Sequence, residues 1–139
     1  LRTVMRPKVN GIVRLWERYE DTPLQFCLLF SSAAAVLGSA GHANYIIANT
    51  FMDAAAHHLR ARGMPVTTVN WGVWEGIGLA DLDLRSAILS MQGAMPVSRE
   101  QMLAALADAV DSDSAQHIPM AIDWELFLSK REQVVPKSS

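Results

Sequence analysis

The run Phe26-Cys27-Leu28-Leu29-Phe30 constrains this chain more than any other stretch. It is too short for a helix and apolar on both faces of an extended strand. Such a run reads as a central strand of a parallel sheet, roofed by helices on both faces. It ends in Ser31-Ser32, and a loop rich in Gly, Ala and Ser follows. A helical pattern then opens near Tyr45, with Ile46, Ile47, Phe51, Ala54, Ala55 and Leu59 as its apolar positions. Arg60 and Arg62 occupy the last turn, Gly63 predicts a left-handed cap, and Pro65 blocks continuation. In open α/β sheets, ligands lie just outside the carboxyl ends of the strands, and Ser32 stands at that edge. Tyr45 and Asn49, four residues apart, project from one helix face a turn apart. Opposite a strand-end serine they form a candidate proton-handling site. From spacing alone, packing and capping are the commoner roles for two such residues.

The rest of the chain continues the α/β pattern. Leu1 to Tyr19 is helical, with Val9, Ile12, Val13, Leu15 and Trp16 as its apolar stripe. Pro7 is tolerable only where that helix starts or restarts, which would put Lys8 in a first turn, against the helix dipole. Val66 to Trp71 is a second strand by its β-branched content, ended by Gly72. Trp71 and Trp74 are read as core or pocket wall. Glu75 to Leu79 is glycine-hinged. Leu82 to Met91 is helical and ended by Gly93; Ser98 with Gln101 predicts a capping box for another helix. Met102, Leu103, Leu106, Ala107 and Val110 recur along it at helical spacing. Asp111 to Ser114 is a polar turn, Ile118 to Asp123 a short last strand, and Trp124 to Phe127 closes against the core. Lys130 to Ser139 reads as a linker or frayed tail.

Composition excludes several classes. The 139 residues, half of them hydrophobic, make one domain with a real core. A formal net charge of −2 and the lack of a basic run argue against nucleic acid or an anionic membrane as partner. No apolar stretch approaches the roughly 20 residues that span a bilayer. The single cysteine, Cys27, lies in the expected central strand and leaves no internal disulfide, so a cytoplasmic setting is the default. His57 and His58 are adjacent and face different directions on a helix, so surface positions suit them better than a shared metal, and no metal site is expected. A complete dinucleotide-binding fold also needs a Gly-rich turn between its first strand and helix. No such cluster follows any strand; Gly38 and Gly41 stand in the wrong context.

The stretch FSSAAAVLGSAGHANYIIANTFMDAAAHHLRARGMPVTTVNWGVW resembles the second half of a ketoreductase domain of a modular type I polyketide synthase. These domains belong to the short-chain dehydrogenase/reductase superfamily. The matching pieces are Ser31-Ser32, the GSAGHANY loop, Tyr45-x-x-x-Asn49, Asn70-Trp71-Gly72-x-Trp74 and, upstream, Pro7-Lys8-Val9-x-Gly11. Lys8 lies 24 residues before Ser32, which lies 13 before Tyr45. In that family the catalytic order is Lys, Ser, Tyr, Asn, whereas ordinary superfamily members place a lysine four residues after the tyrosine. The resemblance covers roughly Val4 to Trp124 and implies the C-terminal half of a Rossmann-like, doubly wound α/β sheet with a helical lid. It divides the chain into a catalytic half, residues 1–128 with a lid at about 75–95, and a tail at 129–139.

The resemblance implies NADPH-dependent reduction of a β-ketoacyl thioester to a β-hydroxyacyl thioester. The expected partners are acyl carrier protein bearing the phosphopantetheine-linked chain, and an upstream nucleotide-binding half with the other synthase domains. Tyr45 would be the acid. A phenol ionises near pH 10, and an adjacent ammonium stabilises the phenolate, the role the resemblance gives Lys8. Ser32 would donate to the ketone oxygen, with Ser31 as the alternative, and Asn49 would hold Lys8 or a proton-supplying water. Gly72 and Val73 would contact the cofactor through their backbone. His42 would sit at the groove entrance, and Leu37 where one stereochemical class carries a tryptophan. Met91, Met95 and Met102 either pack a helical pair on the sheet or, since methionine packs adaptably, line a channel for the acyl chain. Two rivals stand beside this reading. One is a non-catalytic structural or docking remnant of a synthase; the other is a general dehydrogenase of small alcohols, disfavoured by asparagine at position 49.

Overall fold

The computed structural model describes residues 2–39, 41–75 and 93–132. Helix α1 (Arg2–Tyr19) leads into strand β1 (Cys27–Ser32), a single helical turn α2 (Ala34–Leu37), and the long helix α3 (Ala43–Arg60). Strand β2 (Val66–Trp71) follows. After the undescribed residues come β3 (Ala94–Met95), α4 (Arg99–Asp111), β4 (Gln116–His117), β5 (Ala121–Ile122) and α5 (Trp124–Glu132). The strands β1, β2 and β4 form a parallel sheet in that order, and β3 pairs antiparallel with β5. The β1–β2 register runs from Cys27 opposite Val66 to Ser32 opposite Trp71, so both strands end at one edge.

Strand alternation sorts the side chains. On one face Leu29 and Val66 pack with Ile12 of α1 and Met52, Ala56 and Leu59 of α3. On the other, Val69 and Trp71 pack with Val97 and with Met102 and Ala109 of α4. Every residue of β2 is buried, as a strand covered on both faces requires. β1 differs from the expectation: Phe30 is 55% exposed, touching Trp71 edge to face at 5.3 Å. On the face opposite Leu29, Leu28 packs, partly buried, against the Val69 cluster that includes Met102 and Ala109 of α4.

The end of α3 and the start of α4 are punctuated as the residues require. Gly63 ends α3 at φ 89°, a conformation that costs other residues strain. The capping box at Ser98 is formed, its hydroxyl accepting from the Gln101 amide while the Gln101 side chain accepts from the Ser98 amide.

Four expectations are corrected or decided. α1 runs unbroken through Pro7, which places Lys8 in its second turn, clear of the first-turn dipole. The last strand is split: Ile118 is exposed, and Pro119, with no amide to give a ladder, separates β4 from β5. Met102 is completely buried among Val69, Trp71 and Val97, so it is core and cannot line an acyl channel; Met95 is half exposed. α5 continues to Glu132, past the boundary set at 128; of its closing residues Phe127 is buried and Trp124 exposed. The expected helix at 82–91, Met91 and nearly all of the lid lie outside the described residues. Among the described residues, no helix is long and apolar enough to cross a membrane.

Candidate active site

Three elements converge on the carboxyl edge of the sheet. α3 carries Tyr45, Asn49 and Asp53 at intervals of four, one row on one helix face. α1 lies against α3 and brings Lys8 to this row. The Lys8 ammonium stands 6.0 Å from the centre of the Tyr45 ring, donates to the Phe30 carbonyl at 3.4 Å, and meets the Met52 sulfur at 3.8 Å. Burial pushes that ammonium below the usual lysine value, and the charge of Asp53 opposes the shift. Tyr45 is 42% exposed, so its ring is open to a ligand.

The two serines divide their work. The Ser31 hydroxyl donates to the Asn49 carbonyl at 3.4 Å and accepts from the Asn70 side-chain amide at 3.2 Å. Its proton is spent inside the core. The Ser32 hydroxyl accepts from the Ala34 amide at 3.2 Å, and among the described residues its proton has no acceptor. Of the two hydroxyls, Ser32 is the one whose proton is left for a ligand.

Asn49 is fully buried and donates through Nδ2 to the Tyr45 carbonyl at 3.0 Å. Its Oδ1 has no partner among the described residues. The expected pairing of Asn49 with Lys8 is not made; the ammonium goes to Phe30 and Met52 instead. His42 stands at the N-terminus of α3, its Nδ1 3.1 Å from the Ser39 hydroxyl. Leu37, half buried, ends α2.

At the end of β2, a side chain on Gly72 would come within 2.9 Å of Met120 Cβ and 3.1 Å of the Pro119 carbonyl, so only glycine fits this close approach. The Gly72 amide already donates to Pro119, and the Val73 carbonyl accepts from Val97. Trp71 is buried and stacked edge to face on Trp74 at 5.0 Å, a wall rather than a reacting group. These groups fit the reactive end of a nicotinamide cofactor: an open tyrosine, a neighbouring ammonium and a tight glycine edge. The chain has no Gly-rich turn for the pyrophosphate end.

Two residues of the site escaped the sequence reading of roles. Asp53 and Asn70 are both buried, and Asn70 Nδ2 donates to Asp53 Oδ2 at 2.9 Å. The available signals were an acidic residue continuing the Tyr45–Asn49 row, and an asparagine sharing the strand face of Ser31.

A parallel α/β sheet with its strand-end serine, helix-borne tyrosine and converging lysine at one edge defines the short-chain dehydrogenase/reductase fold. Within that class the kinship is narrower. The model of the KR domain matches residues 1–76, more than half of the chain. The chain is 44% identical over 124 residues to the spectinabilin polyketide synthase system protein NorB of Streptomyces orinoci, covering 86% of the chain and 6% of that protein. It is 40% identical over 141 residues to the polyketide synthase GfsE of Streptomyces halstedii, covering 98% and 4%. An A1-type ketoreductase structure superposes with a TM-score of 0.86 at 34% identity, covering 96% of this chain and 28% of that one. The first ketoreductase of the tylosin polyketide synthase gives 0.85 at 30%, covering 99% and 30%. The chain belongs to the ketoreductase domain family of modular polyketide synthases, and it spans under a third of those solved domains. Domains of this family are nicotinamide-dependent oxidoreductases.

Proposed function

We propose that this chain supplies the proton-handling half of an NADPH-dependent reductase acting on a β-ketoacyl thioester carried by acyl carrier protein. The reading rests on one observation above the others: the half-buried Lys8 ammonium beside the open ring of Tyr45. When bound, the cofactor supplies a hydride to the ketone carbon. Every other requirement falls on side chains of this chain. The ketone oxygen gains charge and needs donors placed in advance, and Ser32 and Tyr45 are those donors. Tyr45 gives its proton to that oxygen, and Lys8 stabilises the phenolate left behind. The buried Oδ1 of Asn49, unpartnered among the described residues, accepts from a water that resupplies the proton. Gly72 and Val73 seat the nicotinamide end by backbone contact, and His42 and Leu37 flank the groove by which the acyl chain enters. The nucleotide-binding half comes from outside these residues and pairs with the open side of β1.

The test is NADPH oxidation with a simple β-ketoacyl thioester by the assembled reductase, meaning this chain with its nucleotide-binding half. Tyr45→Phe is expected to lower turnover by about 10²–10⁴-fold, the range for loss of a general acid, with an unchanged circular dichroism spectrum. Wild-type turnover in the phenylalanine variant would overturn the assignment.

A further inference from the structure

Asn70 is fully buried near the carboxyl end of β2, opposite Ser31 in the register. Its side-chain amide binds three other elements. Nδ2 donates to Asp53 Oδ2 of α3 at 2.9 Å, to the Ser32 carbonyl at 3.1 Å and to Ser31 Oγ at 3.2 Å. Two N–H bonds are thus shared among three acceptors. The other end of the amide is held as well: Oδ1 accepts from Gln116 Nε2 of β4 at 3.0 Å. Turned over, the amide would set its oxygen against the Ser32 carbonyl and the Asp53 carboxylate, so its orientation is fixed. Ser31 closes the loop, its hydroxyl donating to the Asn49 carbonyl at 3.4 Å. The end of β1 is thereby tied to α3 at Asn49 and at Asp53, in the row that carries Tyr45.

Packing alone does not call for this arrangement. Further back on the same sheet face, Leu29 and Val66 meet Met52, Ala56 and Leu59 of α3 through apolar contacts. Toward the carboxyl edge, Ser31 and Asn70 replace such side chains. Buried polar groups are costly unless each is paired, and an apolar pair would fill the space without that requirement. What hydrogen bonds add is a defined distance and direction. Ser32 follows directly. Its hydroxyl accepts from the Ala34 amide at 3.2 Å, so what aims it is the backbone that carries it, and Asn70 holds that backbone at its carbonyl.

We propose that Asn70 is a positioning residue: its amide, oriented by Gln116, ties the Ser32 backbone to α3 and so fixes where the Ser32 hydroxyl stands relative to Tyr45. Its catalytic meaning rests on the reductase reading above; the tie between strand end and helix does not.

The experiment is a double-mutant cycle on turnover of a simple β-ketoacyl thioester with NADPH, in the assembled reductase, using Asn70→Ala, Ser32→Ala and the pair. Hydrogen exchange of the peptide spanning Ala33 and Ala34 is followed beside it, since their amides donate to the Trp71 carbonyl and to Ser32 Oγ. Asn70→Ala is expected to lower kcat by about 10²-fold, the cost of a ~1 Å misplacement. The KM for NADPH should stay, because the Gly72 amide is held separately by Pro119. In the Ser32→Ala background the same substitution should lower kcat by less than about twofold, since its effect runs through a hydroxyl already gone. Exchange at Ala33 and Ala34 should quicken in Asn70→Ala. Equal losses of kcat in both backgrounds overturn the proposal and leave Asn70 a part of the fold alone; unchanged exchange overturns it too. Quickened exchange in an assembled reductase whose wild type never turns over supports the tie and removes the reductase reading instead. Should Asn70→Ala not fold, Gln116→Leu frees the amide to turn over and leaves Asn70 in place. It carries the same expectations, with a smaller fall in kcat, and the same refutations.

Discussion

Burial acts on Lys8 and on Cys27 with opposite consequences for stability. The Lys8 ammonium is pushed below its ordinary 10.5 in the folded chain. The folded state thus binds fewer protons than the unfolded state between the lowered value and 10.5, and stability rises with pH in that window. The Cys27 thiol is pushed above its ordinary 9.0 by burial. The unfolded chain ionises first there, so that contribution is lost as pH climbs past 9.0. Thermal melting between pH 8 and 10.5 should separate the two: Lys8→Met removes the rising part, and Cys27→Ala removes the falling part. A wild-type profile in either variant would refute its assignment. At this scale the sequence was legible where function follows local spacing. Tyr45 and Asn49 share a helix face by arithmetic, and family order pointed to Lys8. Asp53 was not legible, because what marks it out is a clamp from a strand 17 residues on, at Asn70. Of the two roles left open for Met102 the structure shows packing; helical periodicity identifies an apolar stripe and is silent on whether a cavity lies beyond it.

Among the elements, those with both ends signalled came through intact. β2 occupies Val66–Trp71 as expected, since Pro65 and Gly72 bracket a β-branched run. α4 starts at its capping box. Ser98→Ala should cost about 1 kcal/mol, the usual worth of such a cap. That is a measurable drop in the urea midpoint with no change in the pH behaviour of Lys8. The last strand was misread because Ile118, Met120 and Ile122 look continuous, while Pro119 between them removes an amide and hands its carbonyl to Gly72. The short helix α2 was read as loop, since four residues rich in alanine carry no periodicity to detect.

Over the whole molecule, the sheet formed by the described residues is one-sided at β1. Among the described residues no strand pairs with the far side of β1, and Phe30 is open to solvent there. An unpaired edge beside an exposed aromatic is a template for association. The chain purified by itself should self-associate with concentration, as followed by light scattering, and Phe30→Lys should suppress this. A monodisperse wild-type chain over a hundredfold concentration range would show that the edge is covered in some other way. Phe26 to Phe30 reads in the sequence as a central strand; among the described residues β1 is an edge of the sheet, with Phe26 and Phe30 both exposed. The same one-sidedness has a consequence for inheritance. Lys8, Ser32, Tyr45 and Asn49 all belong to α1, β1 and α3, so the proton-handling groups of the proposed reaction stand on one side of the β1 seam. Under that proposal, hydride delivery and proton delivery are separable cartridges. Exchange of one half between relatives could change the cofactor or the substrate's approach and leave the acid with its tuning intact.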